Sequence, residues 1–207
     1  MPYNENLPES IAMTPARLTL SFVKSASSED QIGFCDCEIA IVGRSNVGKS
    51  SLINAVAQQN NLAQTSKTPG RTRNLNVYQA PRERLLIDCP GYGFARGPEE
   101  DKVRWNLLIE SYLRSRKTLI MVYLCVDSYV GPTELDIDMQ AWLFQNHLPY
   151  TIVATKFDQL RPSERSAKQK KLCEILSVDS EAVFWVSARK SKGIDHLVLH
   201  MQKHLGL

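Results

Sequence analysis

The 207-residue chain lacks any apolar run long enough to cross a membrane. Its longest wholly apolar stretch, residues 119–126, falls far short of the roughly 20 residues that a transmembrane helix needs. The opening MPYNENLPES is polar and acidic, without the basic-then-apolar pattern of a secretory signal. We therefore expect a cytoplasmic protein with no membrane span.

The five cysteines lack the spacing of a zinc site. Only one residue separates Cys35 from Cys37, where zinc half-sites have two to four, and the other cysteines stand alone. Small buried thiols in a reducing compartment are the better interpretation. His196, His200 and His204 recur at every fourth position, but no cysteine accompanies them, so a flank of an amphipathic helix is favoured over a metal site.

A strong charge imbalance is also missing. The net charge of +3 permits a nucleic-acid partner without requiring one. Basic residues gather at positions 96–117 and 161–171, and two interpretations stay open for them. They form either solvated helix faces or contacts with the phosphate backbone of a nucleic acid, and such contacts do not depend on base sequence.

Short apolar runs alternate with helical patterns along the chain, which is typical of an α/β fold. Two of these runs, residues 75–78 and 85–87, are too close together for a crossover helix and predict an antiparallel hairpin. We predict a mostly parallel six-stranded sheet with one antiparallel strand and helices on both faces. The other strand-like runs are residues 18–23, 39–42, 119–126, 151–154 and 183–186, and the helical patterns are residues 50–59, 99–115, 134–146, 162–176 and 193–205.

The stretch GRSNVGKS follows the apolar run of residues 39–42 and fits the pattern G-x-x-x-x-G-K-[ST]. A glycine-rich turn between a strand and a helix lets backbone N–H groups surround phosphate oxygens. In this pattern the lysine reaches the β- and γ-phosphates, and the serine hydroxyl binds Mg²⁺. The predicted phosphate-binding residues are Gly43, Arg44, Ser45, Asn46, Val47, Gly48, Lys49 and Ser50.

Two later strand ends complete a guanine site. Thr155-Lys156-Phe157-Asp158 fits [NT]-K-x-D, in which the aspartate accepts hydrogen bonds from N1–H and the 2-amino group of guanine. Adenine would leave that carboxylate unpaired, at a cost of about 2–3 kcal/mol. Val186-Ser187-Ala188 ends the next strand and is expected to donate a backbone N–H to guanine O6.

Between these motifs, Asp88-Cys89-Pro90-Gly91 fits D-x-x-G. In that pattern the aspartate holds Mg²⁺ through water, and the glycine N–H contacts the γ-phosphate. Four motifs in the required order, each at the end of a predicted strand, indicate a protein that binds GTP and GDP.

Together with TPGRT at residues 68–72 and DCPGYGFA at residues 88–95, these motifs resemble the EngB (YihA/YsxC) family of bacterial GTPases. The resemblance covers residues 23–207 and implies a Ras-like G domain preceded by an extension of residues 1–22. It further implies a role in assembly of the large ribosomal subunit and a link to cell division and septation, and the motifs themselves call for an Mg²⁺ cofactor. We expect a monomer that contacts a ribosomal precursor or its RNA.

The same resemblance assigns the segment before the hairpin. Thr72 would bind Mg²⁺ together with Ser50, and the loop formed by Gly70, Arg71, Thr72, Arg73 and Asn74 would close over the nucleotide. Cys89 replaces the family's usual leucine, and Arg73 stands where glutamine is common. Neither change removes a ligand.

The residue after Gly91 bears on hydrolysis. Many GTPases place there a glutamine that orients the attacking water, whereas this chain has Tyr92, so slow intrinsic hydrolysis is expected. Two interpretations of Asn46 stay open: it caps the phosphate loop, or its side-chain carbonyl helps to hold K⁺ near the β- and γ-phosphates.

Two other functions share parts of this pattern. A GTP-controlled interaction protein of the division machinery would use the same site and is separated only poorly by sequence. A P-loop kinase is disfavoured by Asp158 and by the Ser187-Ala188 pair, and no acceptor pocket is apparent.

Overall fold

The computed structural model describes residues 16–64, 74–93 and 99–207. Alternating strands and helices follow the chain, as the apolar runs predicted. The strands are β1 Ser21–Ala26, β2 Cys37–Gly43, β3 Leu75–Ala80, β4 Arg84–Asp88, β5 Leu119–Asp127, β6 Tyr150–Thr155 and β7 Val183–Trp185. The helices are α1 Lys49–Ala57, α2 Glu99–Ser115, α3 Glu134–Gln145, α4 Pro162–Leu176 and α5 Ile194–Leu205.

All seven strands form one sheet in the order β1-β3-β4-β2-β5-β6-β7. Strand β3 runs antiparallel to both of its neighbours, and the remaining pairs are parallel. The predicted hairpin and the single antiparallel strand are therefore confirmed, but the predicted count of six strands is wrong. The error concerns β1, an edge strand whose first two residues fall in the predicted extension of residues 1–22 and whose first five side chains are exposed.

Two apolar cores lie on opposite faces of this sheet, because successive side chains of a strand point to opposite sides. On one face, helices α2, α3 and α4 cover side chains such as Val42 and Leu124. On the other, α1 and α5 cover Ile41 and Tyr123. This arrangement leaves the strand ends open at the edges of the two layers, where loops can carry chemistry.

The N-terminal part of the described chain packs on the α1 and α5 side. Leu18 and Leu20 are buried there, and the Leu18 N–H donates to the Val56 carbonyl at 2.8 Å. A domain boundary between residues 22 and 23 stays a prediction; that position lies within β1. Within the described ranges, no helix combines the length and apolar character that a membrane crossing needs.

The histidine row lies on α5, whose predicted apolar stripe is confirmed. His200 Nδ1 lies 3.0 Å from the Tyr123 hydroxyl, and His204 Nδ1 lies 2.9 Å from the His200 carbonyl. These two imidazoles are thus engaged with core and backbone groups. The buried stripe consists of Ile194, Leu197, Val198, Met201 and Leu205.

Candidate functional site

The predicted motifs lie at one edge of the sheet, where the parallel strands β2, β4, β6 and β7 have their carboxyl ends. Because β3 runs the opposite way, its first residues also reach this edge, and Asn74 precedes β3 directly. Such an edge is the usual ligand site of open α/β sheets.

The phosphate loop joins β2 to α1. Gly48 is the N-cap of α1 with φ of 112°, a conformation that side-chain-bearing residues rarely adopt. Lys49 is buried, and its ammonium donates to the carbonyls of Gly43 at 2.9 Å and Arg44 at 3.3 Å. A cation held at a helix N-terminus makes this loop suited to anionic phosphate groups.

The segment after β4 lies directly against this loop. The Cys89 N–H donates to the Ile41 carbonyl at 3.0 Å, and both Cys89 and Pro90 are buried. A Cβ atom on Gly91 would lie only 2.7 Å from Ser45 Cα and 3.1 Å from Lys49 Nζ. Only glycine permits this approach, so a backbone N–H at position 91 can lie close to a phosphate held by the loop.

Asp88 supplies a buried carboxylate at the same place. Its side chain is 1% exposed, and Oδ1 has no hydrogen-bond partner among the described residues. Burial raises the pKa of Asp88 to about 6, against the opposing effects of Lys49 and a hydrogen bond from Asn76. Ser50 lines the same cavity as Asp88, and this pair of oxygen donors suits Mg²⁺.

The predicted base-binding segment follows β6 and is bonded to the phosphate loop. The Thr155 hydroxyl donates to the Val47 carbonyl at 2.6 Å, which fixes the two motifs relative to each other. Lys156 adopts a left-handed conformation, and its ammonium lies 2.6 Å from Asp127 Oδ2. The other oxygen of Asp127 accepts the N–H groups of Tyr129 and Val130.

Asp158 is oriented by the segment after β7. The Ser187 hydroxyl donates to Asp158 Oδ1 at 2.6 Å, and the Phe157 N–H donates to the Val186 carbonyl at 3.1 Å. Val186 and Ser187 are buried, and Ala188 is half-buried beside them. Ser187 thus fixes one oxygen of the Asp158 carboxylate, and the second oxygen can accept hydrogen bonds from a ligand.

The structure does not cover every predicted site residue. Asn74 is described and half-buried. Four others lie outside the described residues, namely Gly70, Arg71, Thr72 and Arg73.

A set of motifs with this geometry is matched by known proteins. The sequence profile of a family described as "50S ribosome-binding GTPase" matches residues 38–156. A protein from Fusobacterium nucleatum named "Probable GTP-binding protein EngB" is 41% identical over 188 residues, which are 89% of this chain and 95% of that protein. The chain belongs to the EngB family. It is therefore a GTP-binding protein of a GTPase family.

Solved structures agree with the EngB fold. A crystal structure of "a probable GTP-binding protein engB" superposes with a TM-score of 0.68 at 24% identity, covering 82% of this chain and 99% of that one. The NFeoB protein from S. thermophilus, bound to GDP·AlF4⁻ and K⁺, superposes with a TM-score of 0.59 at 26% identity. That match covers 82% of this chain and 62% of the other. The predicted Ras-like P-loop G-domain fold is confirmed.

Sequence reasoning missed Asp127, Asp136 and the full environment of Tyr92. Asp127 ends β5 as Asp88 ends β4, so an acidic residue at a strand end was an available signal. Asp136 offered only the capping-box pattern that it forms with Thr133, and its bond to Arg44, 92 positions away along this EngB-family chain, left no local signal.

Some of the basic residues hold the fold together. Arg116 forms a two-pronged ion pair with fully buried Glu38, at 2.7 and 3.1 Å. The Arg165 guanidinium lies 5.1 Å from the centre of the Phe157 ring. Lys168 donates to the Tyr129 carbonyl at 3.0 Å. Within the second basic cluster, Arg161, Lys170 and Lys171 remain exposed.

Proposed function

We propose that this edge of the sheet binds GTP and GDP, with the phosphates on residues 43–50 and guanine on Asp158. The hydrogen bond from Thr155 to the Val47 carbonyl carries this proposal, since it holds the base and phosphate subsites at a fixed separation. Ser187 orients the Asp158 carboxylate, and Lys156 is braced by Asp127 along the base subsite. The backbone of residues 186–188 donates to guanine O6.

Guanine selectivity is tested by titrating GTP, GDP and ATP. ATP should bind at least about a hundredfold more weakly, because adenine leaves the Asp158 carboxylate unpaired. Asp158→Asn should shift preference towards xanthine nucleotides, since the amide donates where the carboxylate accepted. Equal affinity for ATP and GTP would contradict the assignment.

Mg²⁺ is proposed at Ser50, at Asp88 through water, and at Thr72. The unpartnered Asp88 Oδ1 supports this assignment, because a buried carboxylate oxygen gains a ligand when a cation binds nearby. When bound, Mg²⁺ neutralises charge on the β- and γ-phosphates. EDTA should therefore weaken GTP binding strongly, and Ser50→Ala should reduce that dependence on Mg²⁺.

Intrinsic hydrolysis is proposed to be slow. The Tyr92 hydroxyl donates to Asp136 Oδ1 at 3.0 Å and is 5% exposed as a residue, so it is not free to orient a water. Transition-state charge then needs another source of stabilisation. The proposal is tested by a single-turnover rate, which should lie near that of GTPases without an arginine finger.

K⁺ is the proposed source of that stabilisation, and Asn46 is proposed to be one of its ligands. This asparagine is exposed with φ of 63°, and its side chain has no hydrogen-bond partner in the described part of the chain. That freedom favours a ligand role over a capping role. Hydrolysis should be faster in KCl than in NaCl at equal ionic strength, and Asn46→Ala should abolish the difference while nucleotide affinity persists. Equal rates in both salts would contradict it.

The proposed biological role is that of a GTP-controlled switch in assembly of the large ribosomal subunit, with consequences for cell division and septation. The description of the matching family as a 50S ribosome-binding GTPase supports it. GTP would order Thr72 and the loop after Gly91, and hydrolysis would release them. We also propose that the protein acts as a cytoplasmic monomer.

Exposed basic residues on α4 and at its N-cap are the proposed RNA contacts. Neutralising Arg161, Lys170 and Lys171 should weaken co-sedimentation with ribosomal particles and lower its salt dependence, with GTP affinity unchanged. Arg165 is excluded from this set because it stacks near the base subsite. An unchanged salt dependence would show that these residues form a solvated helix face and do not contact RNA.

Binding to particles in the presence of a GTP analogue or GDP also separates the two candidate roles. A ribosome-assembly switch should co-sediment preferentially in one nucleotide state. An interaction protein of the division machinery should not co-sediment in either state.

A further inference from the structure

Asp136, in the first turn of α3, joins two parts of the nucleotide site. Its side chain is fully buried. Oδ2 accepts from Arg44 Nε at 2.9 Å, and Oδ1 accepts from the Tyr92 hydroxyl at 3.0 Å. The backbone N–H and hydroxyl of Thr133, the N-cap of α3, also donate to Oδ2, both at 2.9 Å. The carboxylate is thus anchored to α3 while it holds side chains from two other segments.

Those two segments also meet through their backbones. Arg44 and Tyr92 form a parallel bridge, and the Ser45 N–H donates to the Tyr92 carbonyl at 3.0 Å. Between them, Gly91 lies so close to Ser45 that no side chain would fit. The Asp136 carboxylate therefore closes, from the α3 side, a clamp that presses Gly91 against the phosphate loop.

We propose that Asp136 is a positioning residue, which through Arg44 and Tyr92 holds the Gly91 peptide where it favours a nucleotide that carries a γ-phosphate over GDP. This inference rests on the proposed contact between the Gly91 N–H and the γ-phosphate. Tyr92 is the second positioning residue, because its hydroxyl donates a hydrogen bond to Asp136 and not to a water molecule.

The physical reason lies in what each nucleotide can gain from the clamp. A ligand shifts a conformational equilibrium only by its difference in affinity for the two states. A γ-phosphate that contacts Gly91 gains when Gly91 is held in place, whereas GDP lacks that group and gains nothing. Burial raises the pKa of Tyr92 well above its usual value, so the hydroxyl stays a neutral donor at every working pH.

A purely structural role for Asp136 makes a different prediction. A carboxylate that only caps α3 would affect stability, and its loss would change the affinities for a GTP analogue and for GDP to the same extent. The ratio of the two affinities therefore separates the roles.

The test measures the affinity of the full chain for GMPPNP and for GDP, in Mg²⁺, for wild type and Tyr92→Phe. The substitution removes one hydrogen bond to a charged group, so GMPPNP should bind about tenfold more weakly and GDP less than about twofold. Asp136→Ala should lower the ratio in the same direction, and adding Tyr92→Phe to it should change little, since Asp136→Ala already removes the acceptor of the Tyr92 hydroxyl.

Tyr123→Phe is the matched control. It removes an equally buried hydroxyl that lies 3.0 Å from His200 Nδ1, in the core on the other face of the sheet. It should lower the melting temperature without changing the ratio. An unchanged ratio in Tyr92→Phe would overturn the inference, whereas failure of the wild-type chain to bind GMPPNP would overturn the proposed function itself.

Discussion

Replacing Asp88 by asparagine should stabilise the nucleotide-free protein at neutral pH. The carboxylate is buried, and one of its oxygens has no hydrogen-bond partner among the described residues. Burial raises its pKa from 3.8 to about 6, and neither Lys49 nor the hydrogen bond from Asn76 cancels that rise. The charge of Asp88 therefore opposes folding until a cation binds beside it.

The magnitude follows from the shift in pKa. A rise from 3.8 to about 6 corresponds to about 3 kcal/mol, at about 1.4 kcal/mol per pH unit. Because the folded state binds the proton more tightly than the unfolded state, the free energy of unfolding of the wild type falls as pH rises from about 4 to about 6. Asp88→Asn has no such ionisation. The free energy of unfolding of the variant should exceed that of wild type by little near pH 4 and by about 1–3 kcal/mol above pH 6. The cost of burying the amide group reduces this difference.

Urea unfolding in EDTA, without nucleotide, at pH 4 and at pH 7.5 measures this gain. Asp138→Asn is the control, because it makes the same chemical change at an exposed carboxylate of α3. This substitution should change the free energy of unfolding by less than about 0.5 kcal/mol. With Mg²⁺ and GTP the wild type should become the more stable of the two proteins, because these ligands should stabilise it far more than they stabilise Asp88→Asn. An Asp88→Asn protein that is less stable than wild type at pH 7.5 in EDTA would refute the reasoning.

Three further substitutions test other contacts. Asp127→Asn should weaken GTP and GDP binding equally, by about tenfold, because Lys156 loses its ion pair while the phosphate loop is untouched; a change in the GTP-to-GDP ratio in nucleotide titrations would contradict this. Arg116→Met should lower the free energy of unfolding, measured in urea, by about 3–5 kcal/mol, since buried Glu38 then lacks its ion-pair partner. Adding Glu38→Gln to Arg116→Met should recover part of that loss. Gly91→Ala should weaken GMPPNP binding more than GDP binding, because the added methyl would overlap Ser45 backbone atoms; equal affinities to those of wild type would show that the segment can move away.

Helix positions were the most predictable part of the fold. Helices α2 and α4 have the predicted bounds, and α4 begins with a proline at its first position, where the missing N–H costs nothing. Strand β1 was predicted at residues 18–23, but it runs from Ser21 to Ala26. Leu18 and Leu20 gave an apolar pattern because they enter the α1 and α5 core as irregular chain, while β1 itself follows with exposed side chains.

The site was predictable where chemistry fixes the order of residues along the chain. The structure places the phosphate loop, Asp88 and Asp158 at or just beyond the carboxyl ends of strands, as their motifs predicted, while their roles in nucleotide binding stay predictions. Asp136 has no such pattern, because its partners Arg44 and Tyr92 reach it only once the sheet and α3 have packed. Tertiary contacts of this kind leave no local trace.

The hydrogen bond between Thr155 and Val47 has a consequence for synthesis of the chain. Its two residues are 108 positions apart, so the phosphate loop leaves the ribosome well before the segment that reads the base. At about 5–20 residues per second, that interval lasts roughly 5–20 s. Under the proposed assignment of Asp158 to guanine, a nascent chain stalled within the interval would lack the carboxylate that distinguishes GTP from ATP. On that proposal, selectivity for the base is acquired late in translation, when β6 joins the sheet beside β5.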